Sequence, residues 1–168
     1  MSTSNPIVFT APGLNPDMSI EVFKQIFHVK SFVLKVHSDS ISGIFKYHWV
    51  TLIDEDANRW SLTAKENFMT SPDNKPYAGT SQDQVDAFHV LISALHSEPV
   101  KITTAHQLCL IAELADFYRV LPLMSNALNG VFFDNPELAM SILILLEAAY
   151  KLQNKLLFRE CFVHVMGP

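Results

Sequence analysis

The sequence has few of the residue types on which many enzymes and small secreted domains depend. Its 168 residues include only 2 cysteines and 5 glycines. Cys109 and Cys161 show neither a CxxC pair nor a framework spacing, so a zinc knuckle and a disulfide scaffold are not supported. The glycines supply no phosphate-binding loop, and no serine stands in a Gly-x-Ser-x-Gly motif. We therefore predict two small buried thiols in a reducing compartment, and no cofactor.

Charge is also scarce. Charged residues make up 17% of the chain, and the 12 basic residues are scattered singly among 17 acidic ones, for a net charge of −5. No basic stripe is available to neutralise a run of phosphates, so nucleic-acid binding is not expected.

No hydrophobic run is long enough to cross a bilayer. The most apolar run, residues 138–150, has 13 residues and is interrupted by Ser141 and Glu147, whereas a span needs about 20. The run predicts a buried helix. The first residues carry no basic region followed by an apolar core, so they do not resemble a signal peptide. We expect an intracellular protein, cytoplasmic or nuclear, that does not bind membranes.

Apolar residues, in contrast, are abundant, at 49% of the chain. The length fits one domain with a proper core. This composition leaves more apolar surface than a small domain easily buries, which favours a partner.

One spacing resembles a calcium loop, because Asp54, Asp56 and Asn58 fall on alternate positions. Such a loop needs glycine at its sixth position and glutamate at its twelfth, where this chain has Arg59 and Lys65. We therefore predict no metal site. The alternating apolar residues on both sides predict a β-hairpin with a solvated tip.

The first half of the chain is typical of strands. Residues 1–17 carry three prolines and predict a leader with little order. Residues 18–30 predict two short strands, and 31–45 two short helices. The hairpin covers about 46–64, and a polar loop follows at about 65–80.

The second half is typical of helices. Thr80 with Asp83 predicts a capped helix start, and Pro99 the end of that helix. Val100 and Ile102 predict a short strand. Thr104 with Gln107 predicts the next capped helix, with an apolar face, and three further features predict the helices that follow. These features are Pro122, the cap at residues 134–137 and the turn at Asn154. Strands followed by helices predict an α+β fold.

Several segments, taken in order, resemble BTB/POZ domains. They are "IEVFKQIFHVKSFVLKVHSDSISGIF", "VDAFHVLISALHSEP", "LCLIAELADFYRVLPL" and "LLEAAYKLQNKLLFREC". The inserted "YHWVTLIDEDANRWSL" is similar to the fungal group of that family. The likeness spans roughly residues 18–166. It implies a small β-sheet flanked by helices over residues 18–131, with the inserted hairpin, and a C-terminal helical extension over 132–168.

The resemblance also implies a function. BTB/POZ domains hold other proteins or copies of themselves, so we expect a non-enzymatic protein-interaction module, self-associating or with a protein partner, and no small-molecule substrate. Members that dimerise as transcription factors use an acid at the head of the first strand with a nearby basic residue. In this chain Ser19 stands where that acid is expected, or the acid is shifted to Asp17. Lys30 stands where a histidine usually follows the second strand.

Other BTB members are substrate adaptors that dock on cullin scaffolds of ubiquitin ligases. They carry an apolar-x-carboxylate element that leads into the helix beginning here at Thr104. In this chain Ile102 is followed by Thr103, and the nearest acid, Glu98, lies upstream. A cullin adaptor is therefore the alternative within the class, with Glu98 and Ile102 as its candidate contacts.

Aromatic residues of the hairpin and the loop after it are the other candidate contacts. They are Tyr47, Trp49, Trp60 and Phe68. Aromatics of this kind either pack the hairpin against the helices or anchor a protein contact.

An enzyme is the alternative from another class. Cys161 and His164 are three residues apart at a helix end, as a thiol and its base would be, and they predict a small hydrolase or transferase. No third orienting group is visible beside them. The competing interpretation packs Cys161 and Phe162 inward and leaves His164 partly exposed.

Overall fold

The computed structural model describes residues 5–10, 13, 15–39, 51–54, 59–64, 80–129 and 141–166. Of residues 35, 38, 39, 51–54 and 59–64 it describes only the backbone. The chain divides into two compact units, Met1–Val85 and Asp86–Pro168. Strands lie in the first unit, and the second is helical. The predicted α+β class is confirmed.

Five strands form the sheet of the first unit, in the order β1-β3-β2-β5-β4. They are β1 (Ile7–Val8), β2 (Met18–Val22), β3 (Gln25–Val29), β4 (Thr51–Asp54) and β5 (Arg59–Ala64).

The predicted strand pair is confirmed as the antiparallel hairpin β2–β3. Its two-residue turn, Phe23 and Lys24, has φ values of 47° and 72°, both positive as in the turn that matches strand twist. Alternate residues of both strands are buried, namely Met18, Ile20, Val22, Phe27 and Val29. This period of two places the apolar side chains on one face of the sheet.

The second predicted hairpin is also confirmed. β4 pairs antiparallel with β5 from Thr51 opposite Leu62 to Asp54 opposite Arg59, so residues 55–58 connect them. β5 also pairs parallel with β2, so the hairpin extends the sheet. The tip, residues 46–50 and the predicted loop at 65–79 lie outside the described residues.

The leader is more ordered than its prolines predicted. Ile7–Val8 pairs parallel with β3, and the Phe9 N–H donates to the His28 carbonyl at 2.9 Å. The Phe9 side chain is buried, with its ring 6.4 Å from that of Phe27. The prediction of little order was wrong for this stretch, because one buried aromatic and the free edge of β3 stabilise it.

The first predicted helix of residues 31–45 is confirmed as α1 (Ser31–Asp39); the second lies outside the described residues.

Asp17 holds the start of α1. Its carboxylate accepts hydrogen bonds from the Ser31 N–H at 2.6 Å and the Ser31 hydroxyl at 3.0 Å, and it lies 2.9 Å from the Lys30 ammonium group. Burial alone would raise the pKa of Asp17, but these interactions outweigh it and lower the pKa below its ordinary value.

The lowered pKa makes the contribution of Asp17 depend on pH. Because the folded-state pKa lies below the unfolded value of about 3.9, the carboxylate stabilises the fold above that value and loses its effect as pH falls through the folded pKa. We expect Asp17→Asn to reduce the free energy of unfolding by about 0.5–1 kcal/mol at pH 7, since the site is partly exposed. Urea unfolding at pH 7, 5 and 3 measures this difference, with Glu113→Gln as an exposed control. An equal loss at every pH would contradict the assignment.

Five helices follow in the described chain. They are α2 (Ser81–Leu95), α3 (Ala105–Phe117), α4 (Leu121–Ala127), α5 (Ile142–Lys151) and α6 (Lys155–Met166). The predicted cap of α2 is confirmed, because the Asp83 carboxylate accepts from the Thr80 N–H at 2.7 Å and Thr80 Oγ1 accepts from the Asp83 N–H at 3.2 Å. Pro122 lies in the first turn of α4, as predicted.

The segment before α3 differs from the prediction in two ways. Thr104 Oγ1 accepts from the Gln107 N–H at 3.1 Å, as expected for the cap residue. The Gln107 side chain of a reciprocal cap would accept from the N–H of Thr104 itself, but it accepts from the Thr103 N–H at 2.9 Å. The strand predicted at Val100 and Ile102 is wrong, since residues 98–104 are not in a strand. The apolar character of Ile102 reflects burial of its side chain, not strand pairing.

Three helices end with a non-glycine residue in the left-handed region: α2 at Ser97, α3 at Arg119 and α5 at Gln153, with φ of 57°, 60° and 53°. In each case the next N–H bonds back to the last turn, as Asn154 does to the Ala149 carbonyl at 3.0 Å. This is the Schellman arrangement, which ends a helix sharply.

The turn between α5 and α6 depends on Asn154, whose side chain is buried. Its Oδ1 accepts from the Leu157 N–H at 3.0 Å and caps α6. Its Nδ2 donates to the Ser125 carbonyl in α4 at 3.0 Å. The turn predicted at Asn154 is confirmed, and the same side chain also connects two helices.

Asn154 offers a test of this turn. We expect Asn154→Ala to lower the free energy of unfolding by about 2 kcal/mol, because the cap is lost and the Ser125 carbonyl loses a donor. Asn154→Ser keeps a side-chain oxygen that can cap α6 and loses the bond to Ser125, so its loss should be smaller. Urea unfolding of both variants checks this order, and equal losses would contradict the capping role.

Candidate interaction surface

Two apolar stripes run side by side along α6. Leu157 and Cys161, at i and i+4, are buried and attach the helix to the second unit. On the neighbouring face lie Phe158, Phe162, Val165 and Met166. We call these four residues the α6 stripe.

The α6 stripe is exposed along its whole length, and Phe162 and Met166 are 46% and 68% exposed. Its spacing of i, i+4, i+7 and i+8 is that of one helix face. The rings of Phe158 and Phe162 are stacked, with centroids 6.2 Å apart. The stripe is thus a continuous apolar strip.

The last turn of α6 is exposed on every side. All five residues from Phe162 to Met166 are exposed, and four of them are apolar. Phe162 had been predicted to pack inward with Cys161, and this was wrong, because the two residues lie about 100° apart around the helix. His164 is exposed, whereas that interpretation expected it to be only partly exposed.

The helix α5 is also exposed on one side. The sequence predicted a buried helix, and Leu145, Ala148 and Ala149 are buried, but Leu143 and Tyr150 are 69% and 76% exposed. The helix contacts α3 and α6, which cover only part of its circumference. The prediction was therefore right for one face and wrong for the other.

Basic residues begin α6. Lys155 and Arg159 lie in its first two turns and the first turn holds no acid, so positive charge stands near the positive end of the helix dipole. Arg159 pairs with its neighbour Glu160 at 3.0 Å, with 70% of the arginine side chain exposed. A pair this exposed contributes little, so this end of α6 suits a negative neighbour.

A smaller apolar face lies on α1 in the first unit. Phe32 and Val36 are exposed at i and i+4, which places them on one side of the helix.

Only some of the candidate contacts predicted from the sequence lie in the described part of the chain. Tyr47, Trp49 and Phe68 lie outside the described residues. Trp60 is in β5, where its backbone is paired with Met18 and Ile53.

The two predicted cullin contacts lie before α3. Glu98 is half-buried, and its N–H donates to the Ser93 carbonyl at 2.9 Å. Ile102 is 1% exposed, so its side chain belongs to the interior and is not presented on a surface. The α6 stripe was missed, although its spacing can be read from the sequence, because a helix with two adjacent apolar stripes does not show which one is covered.

Neither cysteine resembles an activated nucleophile. Burial, followed by the nearby Glu160, raises the pKa of the Cys161 thiol, and burial with Glu147 and Glu113 raises that of Cys109. A raised pKa lowers the thiolate fraction, which is the reactive form.

No group of three or more His, Cys, Asp or Glu residues in the described part of the chain is arranged to hold a metal ion. None of the helices described is long and apolar enough to span a bilayer.

Comparison with known proteins found no matching family model, no matching curated protein and no matching solved structure.

The thiols provide a test of reactivity. We expect both cysteines to be alkylated more slowly in the folded chain than in urea at pH 8, with the buried Cys161 slower than the half-exposed Cys109, because both pKa values are raised. Mass spectrometry of iodoacetamide-treated protein over pH 7–10 measures both rates. Faster labelling of Cys161 near neutral pH would instead favour the hydrolase or transferase alternative.

Proposed function

We propose that this chain is a non-enzymatic protein-interaction module of BTB/POZ-like architecture, which binds a protein partner or another copy of itself. The observation that carries the proposal is the run of exposed apolar side chains on α5 and α6. Burying a large apolar side chain contributes about 1.5–3 kcal/mol relative to leaving it in water. A strip of several such side chains is typical of a protein contact.

The order of elements supports the BTB/POZ-like part of the proposal. The first resembling segment contains most of the hairpin β2–β3 and all of α1, and the second lies within α2 and the residues just after it. The third spans α3 and the start of α4, and the fourth covers parts of α5 and α6. In the described residues, strands and then helices follow one another in the order expected from the resemblance, which supports the proposal.

The acid at the head of the first strand gives further support. The resemblance implies an acid there with a basic residue nearby. Asp17, directly before β2, is paired with Lys30 at 2.9 Å. The shift of the acid from position 19 to position 17 thus keeps an acid–base pair at this end of the sheet.

The raised pKa values of both thiols count against the hydrolase or transferase alternative. The cullin-adaptor alternative has little support before α3, since Ile102 is buried and Thr103 and Thr104, exposed there, carry no charge. A pull-down with a cullin N-terminal region tests it directly.

The proposal is tested by the mass of the purified chain in solution. We expect light scattering at micromolar concentration to give a mass above the 18.9 kDa of one chain, because association covers the exposed apolar side chains. A strictly monomeric chain would leave only a heterologous partner. Affinity capture from the native cell, with Phe162→Glu and Leu143→Glu variants as matched baits, then decides; capture of the same proteins by all baits would contradict the proposed surface.

A further inference from the structure

We propose that the partner of the α6 stripe is the α6 stripe of a second copy of this chain, packed antiparallel with Phe162 beside a two-fold axis. This inference rests on the proposed function and specifies the partner and the residues of the contact.

The first argument is the symmetry of the stripe. Phe158 lies four residues before Phe162 and Met166 four residues after it, so the strip extends about 6 Å along the helix on either side of Phe162. In an antiparallel pair centred on Phe162, Phe158 of each chain lies against Met166 of the other. The same patch then covers itself, as a two-fold interface requires.

The second argument is charge. Lys155 and Arg159 stand near the positive end of their own helix, which is unfavourable. Antiparallel packing places Arg159 beside the last turn of the other α6, and Lys155 just beyond it. That last turn carries the negative end of the helix dipole and no lysine or arginine, although it includes His164. The stripe of a parallel copy would instead bring the cations of both chains together.

The third argument is the exposure of the last turn. The residues after Cys161 are exposed around the full circumference of α6, so a second helix can lie along the stripe from Phe158 to Met166 without displacing a neighbour. The contact is smaller than the roughly 800 Å² per partner of standard interfaces. We therefore expect a dissociation constant of roughly micromolar order, so that the mass in solution rises through the micromolar range.

The experiment measures the dissociation constant of self-association by sedimentation equilibrium. We expect Phe162→Glu to weaken association at least about tenfold, since the change enters twice at a two-fold axis and places two carboxylates together. His106→Glu places the same carboxylate at an exposed position of α3, outside the apolar side chains of α5 and α6, and should leave the constant unchanged. Circular dichroism checks that both variants keep their helices, as expected for exposed positions.

A cross-linking experiment tests the direction of packing and does not depend on the glutamate variants. In a Cys109→Ala background, we expect a mixture of Phe158→Cys and mass-tagged Met166→Cys chains to form mixed disulfide dimers faster than either chain forms dimers with itself. Val163→Cys, on another face of α6, should form few. Preferential self-cross-linking of Phe158→Cys chains would overturn the antiparallel arrangement.

The results separate this inference from the proposed function. A wild-type chain that stays monomeric overturns the paired α6 stripe. So does an association that Phe162→Glu leaves unaffected, or that His106→Glu weakens equally. The wider proposal survives such a result if the chain associates through another surface or captures a partner that depends on its apolar face. The wider proposal fails only if the chain neither associates with itself nor captures a partner through its apolar face.

Discussion

The hydrogen bonds of the Asn154 side chain fix the turn between α5 and α6, and this turn decides which apolar residues of α6 meet solvent. Asn154 caps α6 through Leu157 and anchors the turn to Ser125 of α4. With the start of α6 held in this way, Leu157 and Cys161 face inward. The neighbouring stripe of Phe158 and Phe162 lies about 100° further around the helix, away from that contact, and is exposed.

This geometry explains where the apolar surplus of the sequence resides. One face of β2 and β3 and the inner faces of α3 and α5 bury their apolar residues completely or nearly so. The excess stands on the outer sides of α5 and α6, at the C-terminal end of the described chain. A helix with apolar side chains on two faces can bury both of them only if a second surface covers the outer one. The fold and the proposed function are thus consequences of the same distribution of side chains.

Local signals in the sequence predicted local structure well. The cap at Thr80 and Asp83 was predicted because its residues lie close along the chain. The strand of Ile7 and Val8 was missed, since its stability comes from β3, some twenty residues away. Val100 and Ile102 were wrongly read as a strand because apolar density alone does not separate burial from pairing. The same ambiguity made Phe162 appear buried.

Hydrogen exchange of the α6 amides as a function of protein concentration tests the central claim most directly. If the α6 stripe is open in the monomer and covered by association, amides from Phe162 to Met166 should exchange rapidly in dilute protein. They should become protected as concentration rises, while the amides of α2 stay unchanged. Protection of this turn that is the same at all concentrations would contradict the account.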